Sequence, residues 1–143
     1  MHEHMSSAYD RDLEAIQTLI VKMGGLVEEA ILKAATSLAD RDVELAEEVR
    51  RADKAIDALE IQINEDAART IALRAPVSKD LRSILTVLRL AASLERIGDY
   101  AKNVAKRIPE LEKRDAATID PLVKMGSLAA DLVAMALTAF KQG

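Results

Sequence analysis

The stretch Leu81-Arg82-Ser83-Ile84-Leu85-Thr86-Val87-Leu88-Arg89-Leu90-Ala91-Ala92-Ser93-Leu94-Glu95-Arg96-Ile97-Gly98-Asp99 decides the fold. At seven-residue intervals it resolves into three adjacent columns: Leu81–Leu88–Glu95, Ile84–Ala91–Gly98 and Leu85–Ala92–Asp99. Apolar residues spaced by three and four share one side of a helix. Three such columns side by side make a broad inward face, the pattern of a helix in a bundle. Two of the columns end in a carboxylate, so the segment that predicts the core also carries its most unusual chemistry.

Working outward, Ser78 is a suitable N-cap and Pro109 a stop, which predicts a helix from Lys79 to Arg107. Upstream, Pro76 ends a helix running from Val43 to Leu73, because proline disfavours helical geometry in the residue before it. Its central column is Val49, Ile56 and Ile63, flanked by Leu45, Ala52 and Leu59. Asp40-Arg41-Asp42 offers aspartate caps between that helix and the first one. The first helix covers Ala8–Leu38, with the seam Leu13, Ile16, Ile20, Met23, Val27, Ala30 and Ala34. Gly24-Gly25 interrupts it at a cost of about 1 kcal/mol per glycine, which close approach of another helix would offset. Downstream, a polar stretch Glu110–Thr118 precedes Asp120-Pro121, read as an N-cap and the first helical residue of a fourth helix. Short connections make the first three helices antiparallel neighbours. The expectation is an all-α fold: an antiparallel three-helix bundle over 8–108, a linker over 109–119 and a further helix over 120–143.

Half of the 143 residues are apolar but only 2% are aromatic, so the core is built from Leu, Ile, Val, Ala and Met. A net charge of −4 argues against a nucleic-acid binder. The absence of cysteine excludes disulfides, thiol catalysis and Cys-ligated metal. No run approaches the roughly 20 continuous apolar residues of a membrane span, and the polar Met1–Ser7 lacks the apolar centre of a signal peptide. The chain therefore reads as soluble and cytoplasmic, without membrane insertion. His2 and His4, the only histidines, lie in what reads as an unstructured start and receive no role.

The fourth helix resembles the first. Lys22-Met23-Gly24-Gly25-Leu26 aligns with Lys124-Met125-Gly126-Ser127-Leu128, and in the same register Ile31 meets Val133, Ala34 meets Ala136, Thr36 meets Thr138 and Leu38 meets Phe140. These matches favour duplication over coincidence. The fourth helix then opens a second repeat, with an apolar face (Leu122, Met125, Leu128, Leu132, Met135, Ala136) that has no second bundle to bury it. Packing between chains, giving a homodimer or higher oligomer, is the expected remedy. The alternative is that it folds back as a fourth member of its own bundle.

Glu95 and Asp99 lie four apart on an otherwise apolar face, and Asp53 and Asp57 repeat that spacing on the second helix. Moving ionised carboxylates out of water costs several kcal/mol each unless they are paired. Four together call for cations, and an oxygen-only set suits Mg, Mn or Ca and can serve Fe. Taken alone, Asp53 and Asp57 read more readily as solvated positions, with Lys54, Arg96 and Lys102 at hand to neutralise them; Glu95 reverses that preference.

Pro76-Val77-Ser78-Lys79-Asp80-Leu81-Arg82, followed by Leu94-Glu95-Arg96-Ile97-Gly98-Asp99, resembles the signature stretch of the PhoU family. Lys22-Met23-Gly24 and the segment from Ala52-Asp53 to Leu59-Glu60 fit the same family, and the resemblance runs from Asp10 onward. It implies two three-helix, spectrin-repeat-like bundles related by duplication, of which this chain holds the first and the opening helix of the second. It implies dimers, and iron or zinc clusters on E(D)xxxD motifs, which makes Asp53, Asp57, Glu95 and Asp99 the candidate metal ligands. It further implies a cytoplasmic negative regulator of phosphate uptake and starvation signalling. The implied partners are the ATPase of the phosphate ABC transporter and a sensor histidine kinase.

The remaining features point away from catalysis. No histidine follows His4, and there is no nucleophile elbow or phosphate-binding glycine loop, so an enzyme is not expected. A structural metal-binding bundle is the alternative to the regulator. Arg82, Arg89 and Arg96 recur every seven residues as a basic stripe that reads as a solvated face. The free N–H groups at Ser78–Arg82 offer an anion site, though capping alone accounts for Ser78.

Overall fold

The computed structural model describes residues 2–111 and 115–142, and side chains within 7–111 and 115–142. It is all-helical: α1 (His2–Asp40), α2 (Val43–Arg74), α3 (Ser78–Leu111) and α4 (Ala116–Gln142). The first three pack mutually as an antiparallel bundle, and α4 lies against α1. The α1–α2 turn closes as expected, with Asp42 Oδ1 accepting from the Leu45 N–H at 3.1 Å. Ala75 ends α2 in the left-handed region (φ 44°), its N–H donating to the Ile71 carbonyl at 3.0 Å, with Pro76 next. Arg74 Nε donates to Asp12 Oδ2 at 2.9 Å and the Tyr9 hydroxyl to the Asp80 carbonyl at 2.6 Å, so one end of the bundle is tied across three helices.

Several boundaries differ from expectation, each because packing outweighs a local signal. The helix α1 extends back to His2, where an unstructured start was expected. Ser78 takes a left-handed φ of 53° rather than a capping conformation, and the Asp80 N–H donates to the Val77 carbonyl instead. Pro109 lies inside α3, which continues to Leu111 because Ile108 is buried and Leu111 packs against the core. One hydrogen bond lost near a helix end is a small penalty beside that burial. The cap of α4 is Asp115, not Asp120: its Oδ1 accepts from the Thr118 N–H at 3.0 Å and hydroxyl at 2.9 Å, and the buried Ile119 draws the first turn in. Pro121 is therefore inside α4, and the expected linker of 109–119 shrinks to the residues between Leu111 and Ala116, of which 112–114 lie outside the described residues.

The seam of α3 is also narrower than three columns. Ile84, Val87, Ala91, Leu94, Gly98, Ala101, Ala105 and Ile108 are buried, stepping by three and four. Leu81, Leu88 and Glu95 sit half-buried at its edge, while Leu85 and Ala92 are exposed.

The α1–α4 interface shows how the repeat is used. A Cβ on Gly24 would run into the Leu137 isobutyl group, and one on Gly126 would come within 3.0 Å of the Ala35 methyl. In the alignment of the two helices Gly24 corresponds to Gly126 and Ala35 to Leu137, so these two contacts are images of each other. The two helices thus pack antiparallel about a local two-fold axis. Ile119, Ala130, Val133 and Leu137 of α4 are buried there. The helix folds back on its own chain and leaves Leu122, Met125, Leu128, Leu132 and Met135 exposed. Among the described residues α4 is also the one helix long and apolar enough to cross a membrane by length and composition, although Asp120, Lys124 and Asp131 interrupt every continuous run.

Candidate functional site

Gly98 positions the acidic cluster. A Cβ there would meet Ile56 at 3.3 Å and Val27 at 3.6 Å, so α3 comes close to both α1 and α2 at this level. The close approach sets the antiparallel register: Ile56 lies opposite Gly98, with Asp53 beside Lys102 one turn away and Glu60 beside Glu95 one turn the other way. All four sequence-designated carboxylates fall on these facing stretches.

Their burial inverts the expectation. Asp53 is the deeply buried member, at 4% exposure, seated between Val49 and Ile56 in the α2 seam. Glu95, Asp57 and Asp99 are half-buried at the rim. Residues in the α2 seam step by three or four, and Asp53 fills the step between Val49 and Ile56, a position the seven-residue column passes over. Burial raises the Asp53 carboxyl above the usual carboxylate range, Asp57 and Asp99 add to the rise, and Lys102 opposes it. Burial likewise raises Glu95, followed by the charges of Glu60, Asp57, Asp99 and Asp53. Glu60, raised by burial and by Asp57, is a fifth member that sequence reasoning missed. Its signal was its position seven residues after Asp53 and three after Asp57, on the same helix side.

One cation reaches the buried carboxylate. Lys102 Nζ stands 3.5 Å from Asp53 Oδ2, while Asp53 Oδ1 is buried without a hydrogen-bond partner. Lys54 and Arg96, the other expected neutralisers, are exposed. The oxygen donors have the right chemistry for a hard cation. Their placement does not fit one: among the described residues no three acidic or histidine side chains are disposed to hold a metal ion. Arg82, Arg89 and Arg96 are all exposed, as a solvated stripe would be. A separate apolar groove of about 720 Å³ lies over α1 between α3 and α4, with Leu94, Tyr100, Val104, Leu122 and Met125 among its walls.

Comparison with known proteins places this arrangement. The PhoU domain matches residues 20–108, from the middle of α1 to the end of the α3 seam. The chain belongs to the PhoU family. It is 39% identical over 138 residues to a phosphate-specific transport system accessory protein PhoU homolog of Zymomonas mobilis, covering 96% of this chain and 58% of that protein. With the Escherichia coli K12 phosphate-specific transport system accessory protein PhoU it shares 34% identity over 135 residues, covering 94% of this chain and 55% of that protein. The crystal structure of PhoU from Pseudomonas aeruginosa superposes with a TM-score of 0.89 at 35% identity, over 94% of this chain and 65% of that one. PhoU from Streptococcus pneumoniae gives 0.85 at 32%, over 94% and 63%. The chain thus spans little more than half the length of the curated relatives it matches. Within this family α1–α3 and the carboxylates between α2 and α3 fall largely inside the matched domain, and α4 outside it.

Proposed function

We propose that this chain carries the first part of a regulatory accessory protein of phosphate-specific transport, acting by protein–protein contact and not by catalysis. Its family membership is the observation that carries the reading, since the relatives it matches across nearly its whole length are named as accessory proteins of that system. Its partners on this reading are the ATPase of the phosphate ABC transporter and a sensor histidine kinase, both met in the cytoplasm. The α4 helix is the first helix of a second repeat. Its exposed Leu122, Met125, Ala129, Leu132 and Ala136 correspond to Ile20, Met23, Val27, Ala30 and Ala34, the face that α1 buries in the bundle. Deleting the gene should derepress the starvation response in high phosphate, and the purified protein should retain the transporter ATPase or the kinase on an affinity column. An unchanged response in high phosphate would refute the regulatory role.

The buried Asp53 favours a second reading, a structural cation-binding bundle. Cation uptake with no retention of either partner would select it.

A further inference from the structure

We infer that Lys102 occupies the cation position of the carboxylate cluster, and that a divalent cation binds there only when the Lys102 ammonium is displaced. The inference deepens the reading of this cluster as a cation site and is independent of the regulatory role.

Three observations converge on it. Asp53 is enclosed within the α2 seam, where an ionised carboxylate without a counter-charge is costly. The only ion pair given to it is with Lys102, whose Nζ lies 3.5 Å from Oδ2. The other oxygen, Oδ1, is buried and has no partner, so half of the carboxylate's capacity as a donor is unused. Around it Asp57, Asp99, Glu60 and Glu95 supply an excess of negative charge that one ammonium does not balance.

The sequence geometry explains why the lysine reaches in. Glu95, Asp99 and Lys102 follow one another at steps of four and three, so all three share one side of α3. The Lys102 side chain remains 38% exposed, with its stem along the helix surface and its head turned to Asp53. A flexible four-carbon stem on a half-exposed residue can swing out to water without unfolding anything. The ammonium and a divalent cation at the same carboxylate repel each other, so the two occupancies exclude one another. This accounts for a cluster with oxygen donors of the right kind that are not gathered around a common centre: with a lysine as its resident cation, nothing draws the rim carboxylates inward.

The test compares the full chain with Lys102→Met and with the double variant Asp53→Asn/Lys102→Met, using manganese(II) as the probe. Methionine keeps the apolar stem and removes the charge. Without manganese, Lys102→Met should melt below the parent, and the double variant should recover most of the loss because the buried charge leaves with its partner. Isothermal calorimetry should show Lys102→Met binding manganese about tenfold or more tightly than the parent, the scale of removing one close like charge. Added manganese should raise the melting temperature of Lys102→Met and leave the double variant unmoved. If Lys102→Met is unfolded when metal-free, circular dichroism replaces melting: helix regained on adding manganese supports the inference, and no regain overturns it. Equal manganese affinity in the parent and Lys102→Met overturns it as well, while binding in both would still leave the cluster a cation site. No binding in either protein overturns both.

Discussion

Helices α1 and α4 carry the same Lys-Met-Gly-x-Leu motif and meet across a local two-fold axis, yet they live in different surroundings. The α1 helix is covered on two sides, by α2 and α3 on one and by α4 on the other. The α4 helix is covered by α1 alone. Met23 is fully buried, whereas its counterpart Met125 is 65% exposed. The pair shows that an apolar face on a helix records what the helix is built to meet, while burial depends on which other elements are there to meet it.

That comparison can be broken by substituting the two methionines. Met23→Ala should cost about 2–5 kcal/mol in urea unfolding, the range for truncating a buried side chain. Met125→Ala should stay within about 0.5 kcal/mol, as exposed sites do. A comparable loss at Met125 would mean that its face is covered in solution, and light scattering would then show whether a second copy covers it.

The glycines sharpen the comparison at the interface itself. Gly24→Ala drives a methyl into Leu137 and should destabilise the protein by about 1–3 kcal/mol, with Leu137→Ala relieving part of the loss in a double-mutant cycle. Additive effects would refute the contact. Gly25 has nothing within 4 Å of an added Cβ, so Gly25→Ala should stabilise by about 0.5–1 kcal/mol through helix propensity alone.

The smallest expected effect is one of pH. The folded-state pKa of Asp53 is raised, so its favourable contribution is present below the unfolded value, near 3.9, and is lost as pH rises through the folded one. Asp53→Asn should therefore be more stable than the parent at neutral pH, with the advantage shrinking on acidification towards that unfolded value. Chemical unfolding at a series of pH values checks this, and an advantage that grows in acid would contradict it.

The helices were legible because their seams repeat. Ile84–Ala91–Gly98 and Val49–Ile56–Ile63 have the three-and-four spacing that burial on one side requires, and the buried residues are those. The identities of the four designated carboxylates were legible from the E(D)xxxD spacing, and their meeting between α2 and α3 from antiparallel packing. Their depth was not. Glu95 continues an apolar column yet lies at the rim, while Asp53 falls beside the column and is buried, because a few degrees of helix rotation move a residue from edge to centre. Glu60 was missed since its neighbour in charge, Glu95, comes from another helix.

By itself the sequence determined the number of helices, their order, the close glycines and the relation of α4 to α1. These depend on periodicity and on residues near one another along the chain, which are local properties. Only the tertiary structure decided that Asp115 and not Asp120 caps α4, that Pro109 is carried through, that α4 folds back on α1 and that Lys102 holds Asp53. Each of those outcomes is a competition between a local preference of about a kcal/mol or a few and burial against a surface assembled from distant parts of the chain, and that surface exists only once the helices have packed.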